Sequence, residues 1–475
     1  MNAWIETEFS SINLGDKRLN NRFRHVAERL FDAPQHSPKA ACQGWAETLG
    51  AYRLFDNGSV TPEKIFAPHQ QATLERIKEY GGPCILNIQD TTELNYSTHK
   101  SLKNVGNLGN SLGRKGFWAH SQYIVSDQRV PLGVWNCSFR IPTVPDDAKC
   151  EPQKEKKNSG QRRKVPIEEK KTFCWLEGYR LSCQLAQLNP GTKVISVSDR
   201  EGDMIEIPVE RQKQIKAGQP AADWLVRCQH TDRILEGQEL DLQEAVQKAP
   251  VLGTVSFDLS AQPENKKEKK PKREARTVIQ QLRACTVELK PPRGKEALGP
   301  VRVNVVLAEE IYTPEGQIPI TWMLLTSLEA TTLDQAIQII EYYLIRWEIE
   351  VFHKILKSGC TVEKLQFETP ERLLPCVCLY MIIAWRIHFL TKLGRSCPEL
   401  PCSVVFDESE WKPVVRILKG PNAENTEPTL GEFNLLVAHL GGHLNRKGDG
   451  PAGPQTIWRG MSRVREWSIC WQAFG

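Results

Sequence analysis

Apolar positions along this chain follow two rhythms, one helical and one extended. Leu14, Leu19, Phe23, Val26 and Leu30 recur at close to helical spacing, with Lys17, Arg18, Arg22, Arg24 and Arg29 interleaved. That pattern predicts an amphipathic helix with a basic outer face. Asp16 stands where an N-cap belongs, and Pro34 and Pro38 punctuate the loop that follows. Residues 46–55 and 62–80 read as two further helices, which makes residues 1–80 a small helical domain. The rhythm then changes. Residues 84–89 form a short strand running into Asp90, residues 118–126 and 133–139 read as its neighbours, and residues 194–198 form a strand that delivers Asp199. ILNI and VISV lack period-two alternation, which predicts strands buried on both faces.

The polar insert at 150–171 reads as a mobile loop. A mostly β stretch opens at 224–228 and continues through 253–258, 278–289 and 301–307. Residues 220–320 therefore read as a β-rich insertion dividing an α/β core into 81–219 and 321–368. The core resumes with a strand at 319–327 and one long helix at 333–357. The remainder, 369–475, reads as a helical domain. It holds an apolar helix at 370–393, a Pro/Ser/Glu linker to about 429, and a last helical pair at 430–440 and 456–473. Trp458, Trp467 and Trp471 of that pair suit either a core or an interface.

Composition narrows the classes. At 475 residues the chain is long enough for two to four domains, and 40% hydrophobic with 25% charged residues is the balance of an ordinary soluble protein. No apolar run approaches the roughly 18 uncharged residues of a membrane helix. The opening MNAWIETEFSS has neither the basic nor the apolar region of a signal peptide, so a cytoplasmic protein without a membrane partner is expected. The fourteen cysteines are scattered without a CxxC pair, which reads as reduced, mostly buried thiols. His120, His230 and His353 form no evident metal cluster, although His353 stands near Glu350 in sequence. The net charge of +5 says less than its placement: residues 154–171 hold eight basic against three acidic residues, and 266–276 hold seven against two. Such runs suit phosphate backbones, with salt-dependent binding and no sequence readout of their own, or else solubilising loops. The arginine-bearing N-terminal helix suits phosphate contact and insertion into a DNA groove.

Three carboxylates carry the candidate chemistry. Asp90 and Asp199 each close a buried strand, where ligands of open α/β sheets collect. Glu350 lies on the long amphipathic segment. There Tyr343, Arg346, Glu350 and Lys357 stand at offsets 0, 3, 7 and 14. At about 100° per residue all four project into one sector of roughly 60°. Such a face joins a carboxylate to a guanidinium, an ammonium and a phenol. Carboxylate oxygens suit two Mg²⁺ ions about 4 Å apart, a site that cleaves and rejoins phosphodiesters. Arg346, Lys357 and Tyr343 are then candidate phosphate contacts, with double-stranded DNA the expected substrate.

These residues lie in stretches with a family likeness. QDTTELNYS (89–97), SDREGD (198–203) and YLIRWEIEVFHKILK (343–357) resemble the bacterial insertion-sequence-4 family of DDE transposases. Tyr343, Arg346, Glu350 and Lys357 match every interval of that family's Y-x2-R-x3-E-x6-K pattern. The resemblance runs from SINLGDKRLNNRFRHVAERL (11–30) to PTLGEFNLLVAHLGG (428–442). It implies an RNase H-like mixed-sheet core interrupted by a β-rich insertion, with Asp90, Asp199 and Glu350 as catalytic ligands of two Mg²⁺ ions, for which Mn²⁺ can substitute. It implies that Trp322, 21 residues before Tyr343, stacks on a base flipped from the DNA end, although the residues alone favour a strand-core role. Arg200 and Lys354 become further phosphate contacts. The N-terminal segment, with Arg18, Arg22, Arg24 and Arg29, becomes an end-binding domain, and the C-terminal helices a dimerisation region.

The implied reaction is cut-and-paste transposition through a hairpin intermediate. It takes place in a dimeric synaptic complex on terminal inverted repeats and target DNA, in the bacterial cytoplasm at the nucleoid. Two other readings share the same residues: a metal-dependent nuclease without strand transfer, and a catalytically silent DNA-binding or inhibitory protein.

Overall fold

The N-terminal segment forms helices where the pattern places them. The structure, a computed structural model, describes residues 3–109, 113–142, 165–264 and 272–474. Helices α1 (Ala3–Glu8), α2 (Lys17–Asp32), α3 (Pro38–Ala41), α4 (Trp45–Phe55) and α5 (Pro62–Tyr80) come first. Asp16 caps α2, its carboxylate accepting the Arg18 and Leu19 amides at 2.7 and 3.0 Å. That satisfies two of the helix's four unpaired N–H groups. Leu19, Phe23, Val26 and Leu30 are buried, as their spacing requires.

A mixed sheet follows, made of β1 (Cys84–Asn95), β2 (Gly116–Ser126), β3 (Pro131–Arg140), β4 (Lys193–Ser198), β5 (Asp223–Arg227), β6 (Val251–Leu259), β7 (Arg276–Leu289), β8 (Val301–Ile311) and β9 (Thr321–Thr326). Its order is β3-β2-β1-β4-β5-β9-β8-β7-β6. Strands β1, β4 and β5 are parallel, while β2 and β3 form an antiparallel pair. This is the mixed arrangement expected of the core. The β-rich stretch continues the same sheet, each strand antiparallel to the next from β5 through β9 to β6. Helices α6 (Phe173–Leu188), α7 (Glu206–Lys216) and α8 (Leu242–Lys248) fall between these strands.

Two expectations need correction here. The first strand does not end at Gln89; β1 runs to Asn95, and Asp90 is the seventh of its twelve residues. Its parallel register with β4 stops at Ile88 opposite Val197, but β2 still pairs with its other edge. Burial falls from complete to partial at Asp90, so the apolar signal fades before the strand does. The 333–357 helix is likewise interrupted. It divides into α9 (Leu333–Ile345), α10 (Trp347–Lys354) and a π-helical turn, Ile355–Gly359. The Arg346 amide bonds to the Tyr343 carbonyl at 3.1 Å, three residues back, and the Cys360 amide to the Ile355 carbonyl at 2.8 Å, five residues back. A constant angular step therefore does not run unbroken from Tyr343 to Lys357.

The C-terminal part holds α11 (Pro370–Ser396), α12 (Glu408–Lys419), α13 (Leu430–Leu440) and α14 (Pro454–Phe474). Helix α12 lies within the stretch read as a linker, its signal masked by Pro413 in the helix interior. Helix α11, at 27 residues, is long and apolar enough by length and composition to cross a membrane, although Arg386 interrupts its apolar run; 89% of its most apolar window is buried inside the protein, as in a core helix. The buried face of α14 includes Trp458.

The chain forms two compact units. One comprises Met1–Gly82, Asp90–Gln153 and Trp347–Gly475, the other Pro83–Gln89 and Lys154–Arg346. Much of the two basic runs, at 154–164 and 266–271, lies outside the described residues.

Candidate functional site

The first unit holds Asp90, Glu350, Lys354 and Lys357. Asp90 is half-buried on β1, its Oδ1 accepting the Thr91 amide at 2.8 Å. Its Oδ2 lies 3.8 Å from His353 Nδ1, and the other nitrogen of that ring stands 3.2 Å from the Ser121 hydroxyl on β2. His120, also on β2, meets the Thr91 hydroxyl at 2.8 Å. Burial pushes the His120 imidazole down to about 3. Burial, with Lys357 and His120 nearby, does the same to His353. Both rings are thus neutral and act here as hydrogen-bonding supports. Lys357, in the π turn, is half-buried; burial lowers its ammonium, and the charges of Glu363, Glu93 and Asp90 oppose that shift. Glu350 is half-buried on α10 and Lys354 is exposed one turn later.

The second unit gathers the remaining core candidates. Asp199 follows β4, and its Oδ1 accepts the Glu201 amide at 2.8 Å, capping the short 3₁₀ turn Arg200–Gly202. Tyr343 is buried at the end of α9, with the Arg346 guanidinium 5.8 Å from its ring centroid. Trp322 is half-buried on β9, edge-on to Tyr343 with centroids 5.8 Å apart. Burial raises the Tyr343 hydroxyl's pKa, against the opposing pull of Arg346 and Arg227. Arg200 is exposed beside a cavity of about 490 Å³ of mixed charge, lined by Lys170, His230 and Lys295 and by Glu201, Asp203 and Glu206.

One member of this group, Arg227, escaped the sequence reading. It ends β5 and engages Tyr343, while burial, with Arg200 and Arg346 nearby, lowers its guanidinium below its ordinary value. Its signal was present in WLVR, a charge closing a buried strand as Asp90 follows ILNIQ. Guanidinium groups around a phenol can hold an anion such as a phosphate.

The four N-terminal arginines divide. Arg18 and Arg22 are exposed one turn apart on α2. Arg24 donates to the Phe9 and Ser10 carbonyls, both at 3.2 Å. Arg29 makes a two-pronged pair with Glu47 of α4, both contacts at 3.1 Å.

Asp90, Asp199 and Glu350 offer the hard oxygen donors that suit Mg²⁺. Among the described residues, no group of three or more His, Cys, Asp or Glu stands together as a metal site.

Comparison with known proteins decides the family. Residues 1–60 match the transposase DNA-binding family, and residues 382–469 match the transposase Tn5 dimerisation domain. The chain is a transposase-family protein. Its DNA-binding segment contains α1 to α4, and its dimerisation segment runs from within α11 into α14. A solved piggyBac transposase synaptic complex with hairpin DNA also aligns with this transposase-family chain. It does so over 82% of this chain and 72% of that one, at 10% identity and a TM-score of 0.34, a likeness too faint to bear on fold or function.

Proposed function

We propose that this chain is a DDE transposase that cuts DNA at the ends of a mobile element and joins the freed 3′ ends to target DNA. The observation that carries this reading is the pairing of transposase DNA-binding and dimerisation sequences at opposite ends of one chain. Between them lie the strand-borne Asp90, Asp199 just past β4, and the helix-borne Glu350.

In this reading Asp90, Asp199 and Glu350 hold two Mg²⁺ ions, or Mn²⁺ in their place. Bound there, the ions supply charge stabilisation for the attacking and departing oxygens of a phosphodiester. The chain's own groups position the DNA. Arg346, Arg200 and Tyr343, with Arg227, hold phosphates in the second unit, while Lys354 and Lys357 do so in the first. Trp322 offers its ring to a base drawn out of the duplex. Arg18, Arg22, Arg24 and Arg29 belong to the segment that holds the element's end, with Arg18 and Arg22 free to meet its backbone.

Water attacks the end phosphodiester, the P–O3′ bond breaks, and a 3′-OH is released. That hydroxyl attacks the opposite strand, displacing its flanking 3′ oxygen and closing a hairpin. Hydrolysis reopens the hairpin, and the same 3′-OH then attacks target DNA. A homodimer pairing two inverted ends is the expected assembly, in the bacterial cytoplasm at the nucleoid.

The test uses the full chain with Mg²⁺ and DNA taken from the inverted ends flanking its coding region. Hairpins and joined products are expected. Asp90→Ala and Glu350→Ala should each bind ends as the parent does and yield neither product. Nicked DNA without joining would make the protein a nuclease, and cutting that persists in both variants would refute the carboxylate assignment.

A further inference from the structure

Behind the helix that carries Glu350 lies a buried polar cluster with no part in the chemistry above. Glu348 sits two residues before Glu350 on α10, about 200° around the helix and so on the opposite face. Its side chain is 3% exposed. His388 Nε2 donates to one carboxylate oxygen at 3.1 Å, and Lys392 Nζ donates to the other at 2.7 Å. On the far side of the His388 ring, Nδ1 meets the Tyr123 hydroxyl of β2 at 2.9 Å. The Tyr123 ring also stacks on Phe352 of α10, with centroids 4.5 Å apart. The cluster therefore ties α10 to both β2 and α11. His388 and Lys392 belong to the stretch of α11 that matches the dimerisation domain.

We propose that Glu348, His388 and Lys392 form a positioning anchor by which the dimerisation segment sets the rotation and register of the helix carrying Glu350. The inference rests on the reading of Glu350 as a ligand-bearing carboxylate. Buried ion pairs are poor stabilisers beside apolar residues of equal volume, and their best-attested use is to fix the register of one element against another. Turning α10 by a single residue would leave the Glu348 charge without donors in an apolar interior. Glu350, on the opposite face of the same short helix, turns with it. These three are positioning residues, acting on the reaction only through α10.

The experiment compares full-length parent, Glu348→Gln, Lys392→Met and the conservative Lys392→Arg. Three quantities are read: amide hydrogen exchange across residues 347–357, affinity for end DNA, and single-turnover cleavage rate at saturating DNA. The first two variants should exchange faster in 347–357 alone and bind ends within about twofold of the parent. Their cleavage should fall about 10- to 100-fold, the usual cost of losing a group that orients a ligand, and Lys392→Arg should recover most of it. Unchanged exchange in 347–357 would overturn the anchor. So would loss of protection throughout the unit in step with loss of binding, which marks a merely structural role. A parent that binds ends but never cuts would instead sink the proposed reaction, and the exchange data alone would then decide the anchor.

Discussion

Glu8 shows how a single side chain can tie the DNA-binding segment to the body of its unit. Its side chain is 2% exposed, and Arg76 of α5 donates to both of its oxygens, at 2.9 and 3.2 Å. His69 completes the cluster. The Val134 amide donates to His69 Nε2 at 2.8 Å, so the ring proton sits on Nδ1 and points to Glu8 Oε1 at 2.5 Å. A neutral ring agrees with the burial that lowers the His69 pKa despite the adjacent carboxylate. Burial alone would raise the Glu8 pKa, but Arg76 and His69 outweigh it and hold the carboxyl at about 2, below its ordinary 4.5. A depressed carboxylate pKa contributes stability that is present above the unfolded value and lost as pH falls through the folded one. Glu8→Gln should therefore cost about 3–5 kcal/mol near neutrality, because Arg76 keeps a charge without its counter-ion. It should also flatten the decline in stability between about pH 4.5 and 2. Urea unfolding over a pH series measures both; an unaltered acid limb would refute the linkage. None of this is legible from WIETEF, since Glu8 and Arg76 are 68 residues apart in sequence.

At the scale of elements, caps and periodicity were readable and interruptions were not. Helix α13 is capped by Thr429, whose hydroxyl accepts the Glu432 amide while Glu432 accepts the Thr429 amide, at 3.2 and 3.1 Å. That reciprocal pattern, with the apolar run after it, makes the start visible in TLGEF. The break at Arg346 and the π turn at Ile355–Gly359 carry no comparable local mark in the sequence. Close helix packing is equally silent until the glycines are set in space. A Cβ on Gly460 of α14 would run into the Val437 backbone carbonyl of α13, and one on Gly441 would meet the backbone of Thr456. Gly460→Ala should thus destabilise by about 1–3 kcal/mol through overpacking, even though alanine favours a helix by up to about 1 kcal/mol. Gly453→Ala meets nothing within 4 Å and serves as the control. Thermal unfolding, with sedimentation of the DNA-bound protein, should show lower stability and weaker dimer formation for the first variant alone. Equal behaviour of the two would mean that α13 and α14 can separate without penalty.

Across the whole molecule, chain order and spatial order diverge. The chain leaves one unit at Gly82, returns at Asp90, leaves again after Gln153 and returns at Trp347. The Y-x2-R-x3-E-x6-K pattern, continuous in sequence, is thereby divided: Tyr343 and Arg346 belong to one unit, Glu350 and Lys357 to the other. Periodicity found most of the strands, since burial on both faces leaves apolar runs. It missed Arg227, because a lone cation at a strand end gains meaning only beside Tyr343 and Arg346. Charge behaves likewise. The net +5 hardly biases the molecule as a whole, so affinity for DNA must come from local groups. On α2, burial separates groups that sequence alone presents as equivalent. Arg24 and Arg29 are committed to carbonyls and to Glu47, whereas Arg18 and Arg22 are exposed. Each phosphate contact removed should reduce the slope of log affinity against log salt by roughly 0.9. Arg18→Ala and Arg22→Ala should each do so with end DNA and unrelated duplex alike, leaving the melting temperature unchanged. Arg29→Ala should instead lower the melting temperature, since it leaves Glu47 without its two-pronged partner. Fluorescence anisotropy across a salt series, beside thermal melts, separates the two kinds of arginine. A full salt slope retained by the Arg18 and Arg22 variants would remove this face of α2 from the DNA contact.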